Sequence, residues 1–209
     1  NGFNNVFLKF QRTISIIVFP LGVGVFLFSD LATKILLGNK WLEATRVIGL
    51  WALTSAILIV FGHLCSEVYR AKGRPKLSFL AQVLHLVVLV PACIISAQYG
   101  FWALVQTRAW IRVQLILVHL ILMKVAIDFP IMGIFRNVFP TGFSAIVMGI
   151  AGYLLRQAHQ GVLWDLASVI ICVIVYFSVL LSFPRMRKEF FSLSEMFLKK
   201  KGKAEKQSF

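Results

Sequence analysis

The sequence predicts an all-α protein, a polytopic bundle of six transmembrane helices, and three observations predict it. The mean hydropathy is +0.83. Only 14% of residues are charged against 59% apolar, where soluble domains carry roughly a quarter charged, so there is too little polar surface to cover a water-soluble globule. The apolar residues gather in charge-poor runs near the ~20 residues that a bilayer core demands of a helix. Spans are expected near 13–29, 47–69, 77–98, 101–127, 137–156 and 165–184, with 1–184 as the transmembrane domain and 185–209 as a basic tail.

The basic residues orient the spans. Of the 22, sixteen fall on the side of the first residue: Lys9, Arg12, the loop Arg70 to Lys76, Lys124, Arg136 and the eight of the tail. Four lie on the other side, at Lys34, Lys40, Arg46 and Arg156, and two lie inside a span. By the positive-inside rule both ends are expected in the cytoplasm, in a multi-pass protein of the cell membrane. The net charge of +14 then calls for anionic membrane lipids as partners and not for nucleic acid. The chain opens on Asn1 with no leader before the first span, and it is expected to be the C-terminal part of a longer protein.

Each element has its own signature. The link Asp30 to Ala44 mixes Leu31, Ile35 and Leu36 with Lys34 and Lys40, which reads as an interfacial helix stopped at Gly38 with Trp41 at headgroup level. At the end of the second span, His63, Glu67 and Arg70 follow i, i+4, i+7 spacing. They form either a coupling or gate group, because His titrates near neutral pH, or a plain helix-end salt bridge of Glu67 with Arg70 or Lys72. The third span carries His85, expected to be hydrogen bonded, and Pro91, expected to kink or break the helix. The fifth carries Gly142, Ala145, Gly149 and Gly152, a small-residue stripe that lets a neighbour approach closely.

The fourth span holds the strongest chemical signal. Arg108, Arg112 and His119 fall within about 40° of one another on a helical wheel, and Arg112 lies near the middle of the span. A charge at that depth costs several kcal/mol unless something anionic or wet meets it. Arginine suits phosphate because its planar fork binds two oxygens at once. The three are therefore candidate binding residues for an anionic substrate. The structural reading of the same pair has Arg108 snorkelling to the interface and Arg112 bonded to a neighbouring carbonyl.

Catalytic chemistry finds little footing. Cys65, Cys93 and Cys172 lie within spans without metal-type spacing, and no Gly-rich phosphate loop or Ser/His/Asp constellation is present. The non-basic side offers only Asp30, Glu43 and Asp165 for acid–base or metal work. No enzyme activity, cofactor or metal is expected. After Pro184, Phe190, Leu193 and Phe197 recur at helical spacing among eight basic residues and three acids, which reads as an inner-leaflet surface helix.

Several short segments, in order, resemble a known family. They are Phe19-Pro20-Leu21-Gly22, Leu37-Gly38-Asn39-Lys40-Trp41-Leu42-Glu43-Ala44, Arg70-Ala71-Lys72-Gly73-Arg74 and Tyr99-Gly100-Phe101-Trp102-Ala103-Leu104. Together they resemble the polysaccharide flippase family of the multidrug/oligosaccharidyl-lipid/polysaccharide exporter superfamily. The likeness runs from Ile14 to about Leu181 and implies the C-terminal half of a larger two-lobed transporter. It implies alternating access that carries undecaprenyl-pyrophosphate-linked oligosaccharide to the outer leaflet for surface polysaccharide biosynthesis. The partners it implies are that substrate, the missing N-terminal lobe, and a polysaccharide polymerase or glycosyltransferases. Two other functions compete: a drug or small-molecule cation antiporter of the same superfamily, for which Glu67 is the only carboxylate near a span interior, and a non-transporting membrane scaffold.

The charge bias generates a direct test of orientation. In a version lacking native cysteines, Lys72→Cys should resist a membrane-impermeant maleimide in intact cells, while Asn39→Cys should react. Efficient labelling at position 72 would overturn the topology.

Overall fold

Helix α1 (Gly2–Leu27) takes the middle of the bundle, and its neighbours line up on either side of it. The computed structural model describes residues 2–159 and 161–187. The short α2 (Ser29–Leu36) ends at Gly38, whose φ of +82° suits a residue without a Cβ, and a 3₁₀ segment (Asn39–Ala44) leads into α3 (Thr45–Leu58). A π turn (Ile59–His63) joins α3 to α4 (Leu64–Ala71). Then come α5 (Lys76–Ala97), α6 (Phe101–Ile127), α7 (Ile131–Ala158) and α8 (Val162–Leu181). Among the described residues six helices are long and apolar enough to cross a membrane, with 39–71 counting as one. These are the six expected from the sequence. The expected surface helix of the tail falls on 188–209, outside the described residues.

Packing follows a row. Helix α1 lies against α3 on one side and α7 on the other; α3 continues to α6 and α6 to α5, while α7 continues to α8. The side-chain patterns explain the order. Helix α8 buries Ser168, Cys172, Tyr176 and Leu180, one residue in four, which is the single ridge of a helix with one main neighbour. Helix α5 buries only Ala81 and Ser96, so nearly its whole circumference needs to be apolar. Two apolar clusters form the core. One gathers Leu64, Val68, Leu120, Met123 and Ile134 near the basic end, the other Ile16, Val60, Met148 and Tyr176, and Phe61 packs against both. Met186 is buried in the second cluster.

Small residues set the closest approaches. A Cβ at Gly22 would run into Ala56 of α3, and one at Gly152 would lie 2.8 Å from Leu27 and 2.9 Å from Cys172. The expected stripe on α7 is thus used at Ala145, which is buried, at Gly149, which faces Val23, and at Gly152. It is not used at Gly142, where a Cβ would meet nothing within 4 Å.

Of the kink or break expected at Pro91, the break does not occur: helix α5 runs from Lys76 to Ala97 with Pro91 inside it, at the loss of one backbone hydrogen bond. The irregularity lies in the second span, at Ile59–His63, and there Gln11 of α1 donates from Nε2 to Val60 O at 3.2 Å. A change from i+4 to i+5 pairing leaves a backbone group without its usual partner, and a buried amide from the next helix can take its place.

These contacts separate two glycines of similar sequence context. Gly22→Leu should destabilise the protein by about 1–3 kcal/mol through overpacking against α3, whereas Gly142→Leu should leave the melting temperature in detergent unchanged. Equal melting temperatures for the two variants would contradict this packing.

Candidate functional site

The seam between α3 and α6 carries the intramembrane cations. Arg112 Nη1 donates to Ser55 Oγ at 2.6 Å, Thr54 Oγ1 at 2.9 Å and Trp51 O at 3.3 Å. Its guanidinium carbon stands 5.5 Å from the centroid of the Trp51 ring, and that of Arg108 stands 5.6 Å from it. Two cations therefore share one indole. This is possible because Trp51, Thr54 and Ser55 form one turn of α3, and because Arg108 and Arg112 are one turn apart on α6.

The structure divides the roles of the pair. Arg112 is half-buried and tied to α3, while Arg108 is exposed. No carboxylate among the described residues forms an ion pair with either one. All three bonds of Arg112 leave from Nη1, and Nε and Nη2 are not sealed away. A planar edge with two donors thus stays open beside a second guanidinium, which is the geometry that an oxyanion such as a phosphate group requires.

His119 shares the helix but not the seam. It is fully buried next to Tyr69, with the rings stacked at 5.8 Å. Tyr69 Oη donates to His119 O at 2.9 Å, and His119 Nδ1 is 3.4 Å from the same hydroxyl. His119 Nε2 is buried without a partner, and the imidazole lies beside Gly62 of the π turn. His63, Glu67 and Arg70 are all exposed, and Glu67 pairs with Arg70 at 3.2 Å, the helix-end salt bridge of the simpler reading. His85 is half-buried and bonds Gln114 of α6 at 2.9 Å. No three His, Cys, Asp or Glu side chains among the described residues converge as metal ligands.

A second polar cluster ties α1 to α7 near the basic end, and the sequence reading did not single it out. Arg12 Nε donates to Asn137 Oδ1 at 2.7 Å, Asn137 Nδ2 to Leu8 O at 2.7 Å and to Gln11 Oε1 at 3.2 Å, and Thr141 Oγ1 to Ser15 Oγ at 3.1 Å. Gln11, Ser15 and Thr141 are fully buried. The usable signal was positional: Gln11 and Ser15, like Asn137 and Thr141, stand at i, i+4, so each pair marks one polar face in an otherwise apolar helix.

At the opposite end Arg156 clamps α7 to the α1–α2 corner. It pairs with Asp30 Oδ2 at 2.8 Å, donates to Leu27 O and sits over the Phe28 ring at 5.7 Å. Beside this clamp opens a cleft of about 640 Å³ bounded by α2, the 3₁₀ segment and the first turns of α3 and α6.

Six such helices define a multi-pass membrane protein. Residues 1–46 match a family model described as polysaccharide biosynthesis protein, which covers α1, α2, the 3₁₀ segment and the entry to α3. Phe19-Pro20-Leu21-Gly22 and Leu37 to Ala44 both fall inside that match. No curated protein and no solved structure matches the chain.

The seam gives its own prediction. Arg112→Ala removes all three interhelical bonds and the double variant Thr54→Val with Ser55→Ala removes two of them, so each should cost about 1–2 kcal/mol, read as a lower melting temperature in detergent. Arg108→Ala should leave it near wild type. A larger loss for Arg108→Ala than for Arg112→Ala would refute the division of roles.

Proposed function

We propose that the chain is the membrane-embedded C-terminal part of a transporter that moves undecaprenyl-pyrophosphate-linked oligosaccharide across the cytoplasmic membrane for surface polysaccharide biosynthesis. The observation that carries the reading is the uncompensated pair Arg108 and Arg112, two cations over one indole in a bilayer-length helix with no described carboxylate to neutralise them. Intramembrane charges of that kind mark substrate paths. A diphosphate supplies two negative groups, and the open edge of Arg112 together with the exposed Arg108 supplies donors for them. The match of residues 1–46 to polysaccharide biosynthesis proteins supports the same substrate class.

In this mechanism Thr54 and Ser55 hold Arg112 in place and Trp51 shields the pair, so the guanidinium edge meets the diphosphate without reorganising. Arg108 takes the phosphate nearer the outer mouth. The lipid tail stays in the bilayer while the headgroup passes along the α3–α6 seam, and the remainder of the pathway wall comes from the other lobe. Coupling through a buried carboxylate, the mark of a cation antiporter, draws no support from Glu67, which is exposed and paired with Arg70.

Export of surface polysaccharide by the full-length protein tests the reading. Arg112→Ala should reduce export at least tenfold, Arg112→Lys should keep part of it because a point charge replaces the fork, and Arg108→Ala should have a smaller effect. The Thr54→Val, Ser55→Ala variant should lose less export than Arg112→Ala, since it keeps the charge and the bond to Trp51 O while loosening the placement of the guanidinium. Normal export by Arg112→Ala at equal protein level would rule the role out.

A further inference from the structure

The cleft at the α2 end combines chemistry that the arginine seam lacks. Its walls carry Asp30 and Glu43 as acceptors, Thr45 and Arg46 as donors, and the rings of Phe101 and Trp102 at the start of α6. Phe101 is 71% exposed and Trp102 39%, so their faces are available to a ligand. The volume of about 640 Å³ lies within the span of small-molecule sites, about 300–1,000 Å³.

Charge decides the ligand class. Asp30 is already neutralised by Arg156 at 2.8 Å, and Glu43 and Arg46 offset one another on the cleft wall. A site with no net charge has no preference for an anion. What it offers is alternating donors and acceptors around an aromatic surface, which fits a ring with hydroxyls at its edge and C–H groups on its face. Two polar atoms at its border also lack partners: Asp30 Oδ1 and Thr45 Oγ1 are covered and make no hydrogen bond. The neighbouring 3₁₀ segment has no buried residue in it. A ligand hydroxyl that reached either atom would supply the missing partner.

The cleft is also in line with the seam. On α6, Arg108 follows Phe101 by seven residues, and on α3, Trp51 follows Val47 by four, so each lies on the face that begins at the cleft, roughly 6–10 Å further along the helices. We infer that this cleft binds a neutral sugar ring, with Trp102 as the stacking platform and Glu43, Thr45 and Arg46 as hydroxyl partners. In its choice of glycan it rests on the transport reading; the sugar would be bound here while its diphosphate meets Arg108.

Saturation-transfer NMR on the purified full-length protein in detergent tests this directly. The probe is the oligosaccharide freed by mild acid from the lipid-linked pool of the producing cells, so that it carries no diphosphate, with inorganic pyrophosphate as competitor. Transfer to sugar-ring protons should saturate in the millimolar range, fall at least fivefold in Trp102→Ala, stay within twofold in Trp102→Phe, and resist pyrophosphate. Absence of saturable transfer, insensitivity to both Trp102→Ala and Glu43→Gln, or full competition by pyrophosphate would each overturn the sugar site. Sugar binding that persists while export survives Arg112→Ala would sink the transport reading and leave the cleft standing. Lost export in Arg112→Ala with no sugar binding would do the reverse.

Discussion

Hydrocarbon offers no hydrogen bonds, so a helix bundle in a bilayer must satisfy its polar groups from within, and this protein does so by sending side-chain donors to the carbonyls of other helices. Gln11 of α1 reaches Val60 O in the π turn, Tyr69 of α4 reaches His119 O in α6, Tyr176 of α8 reaches Ile16 O in α1, and Asn137 of α7 reaches Leu8 O in α1. Each bond joins segments 49 to 160 residues apart. The row of helices is therefore stitched at fixed heights, and the apolar packing between stitches needs only shape. Arg74 adds a variant at the basic end by donating to Ala126 O at 2.6 Å, in the last turn of α6, where the helix dipole favours a cation.

That constraint explains why the arginine pair is unusual among the polar groups. Gln11, Asn137 and Tyr176 are consumed by the bundle, but Arg112 commits one nitrogen and Arg108 commits only its face to an indole. Two like charges about one turn apart repel, and a seam of Trp51, Thr54 and Ser55 supplies dipoles and a ring but no counter-charge. The arrangement is stable as structure and incomplete as electrostatics. Under the transport proposal a passing anion completes it, and an anion bound only in passing does not need a deep trap.

The sequence made the spans legible because length and apolarity are properties of contiguous residues: the fourth span, 101–127, coincides with Phe101–Ile127. The short helix stopped at Gly38 was legible for the same reason, since a stop signal is local. Partners were not local. Nothing in the run from Gln11 onward tells that Gly22 must admit Ala56 or that Gln11 must reach Val60, because both demands come from α3 and its continuation. Proline is a local signal too, and at Pro91 it brings no break, while the irregularity at Ile59–His63 has no proline and accepts a bond from a neighbour. For the site, the shared wheel position of Arg108 and Arg112 was visible, while the division between them depends on which reaches Thr54 and Ser55.

The same distinction shows which parts of the chain a family pattern can grip. Helix α5, with only Ala81 and Ser96 buried, meets its physical demands with almost any apolar sequence. Helix α1 has much less freedom. It must keep a small residue at Gly22 against α3, an amide at Gln11 for the π turn and a hydroxyl at Ser15 for Thr141, and its Ile16 carbonyl accepts from Tyr176. The segment that follows must turn at Gly38 and place Asp30 on Arg156. Residues 1–46 are the stretch that matches polysaccharide biosynthesis proteins. Their fixed geometry sets the height of α3 and, through it, where Trp51 presents the two arginines.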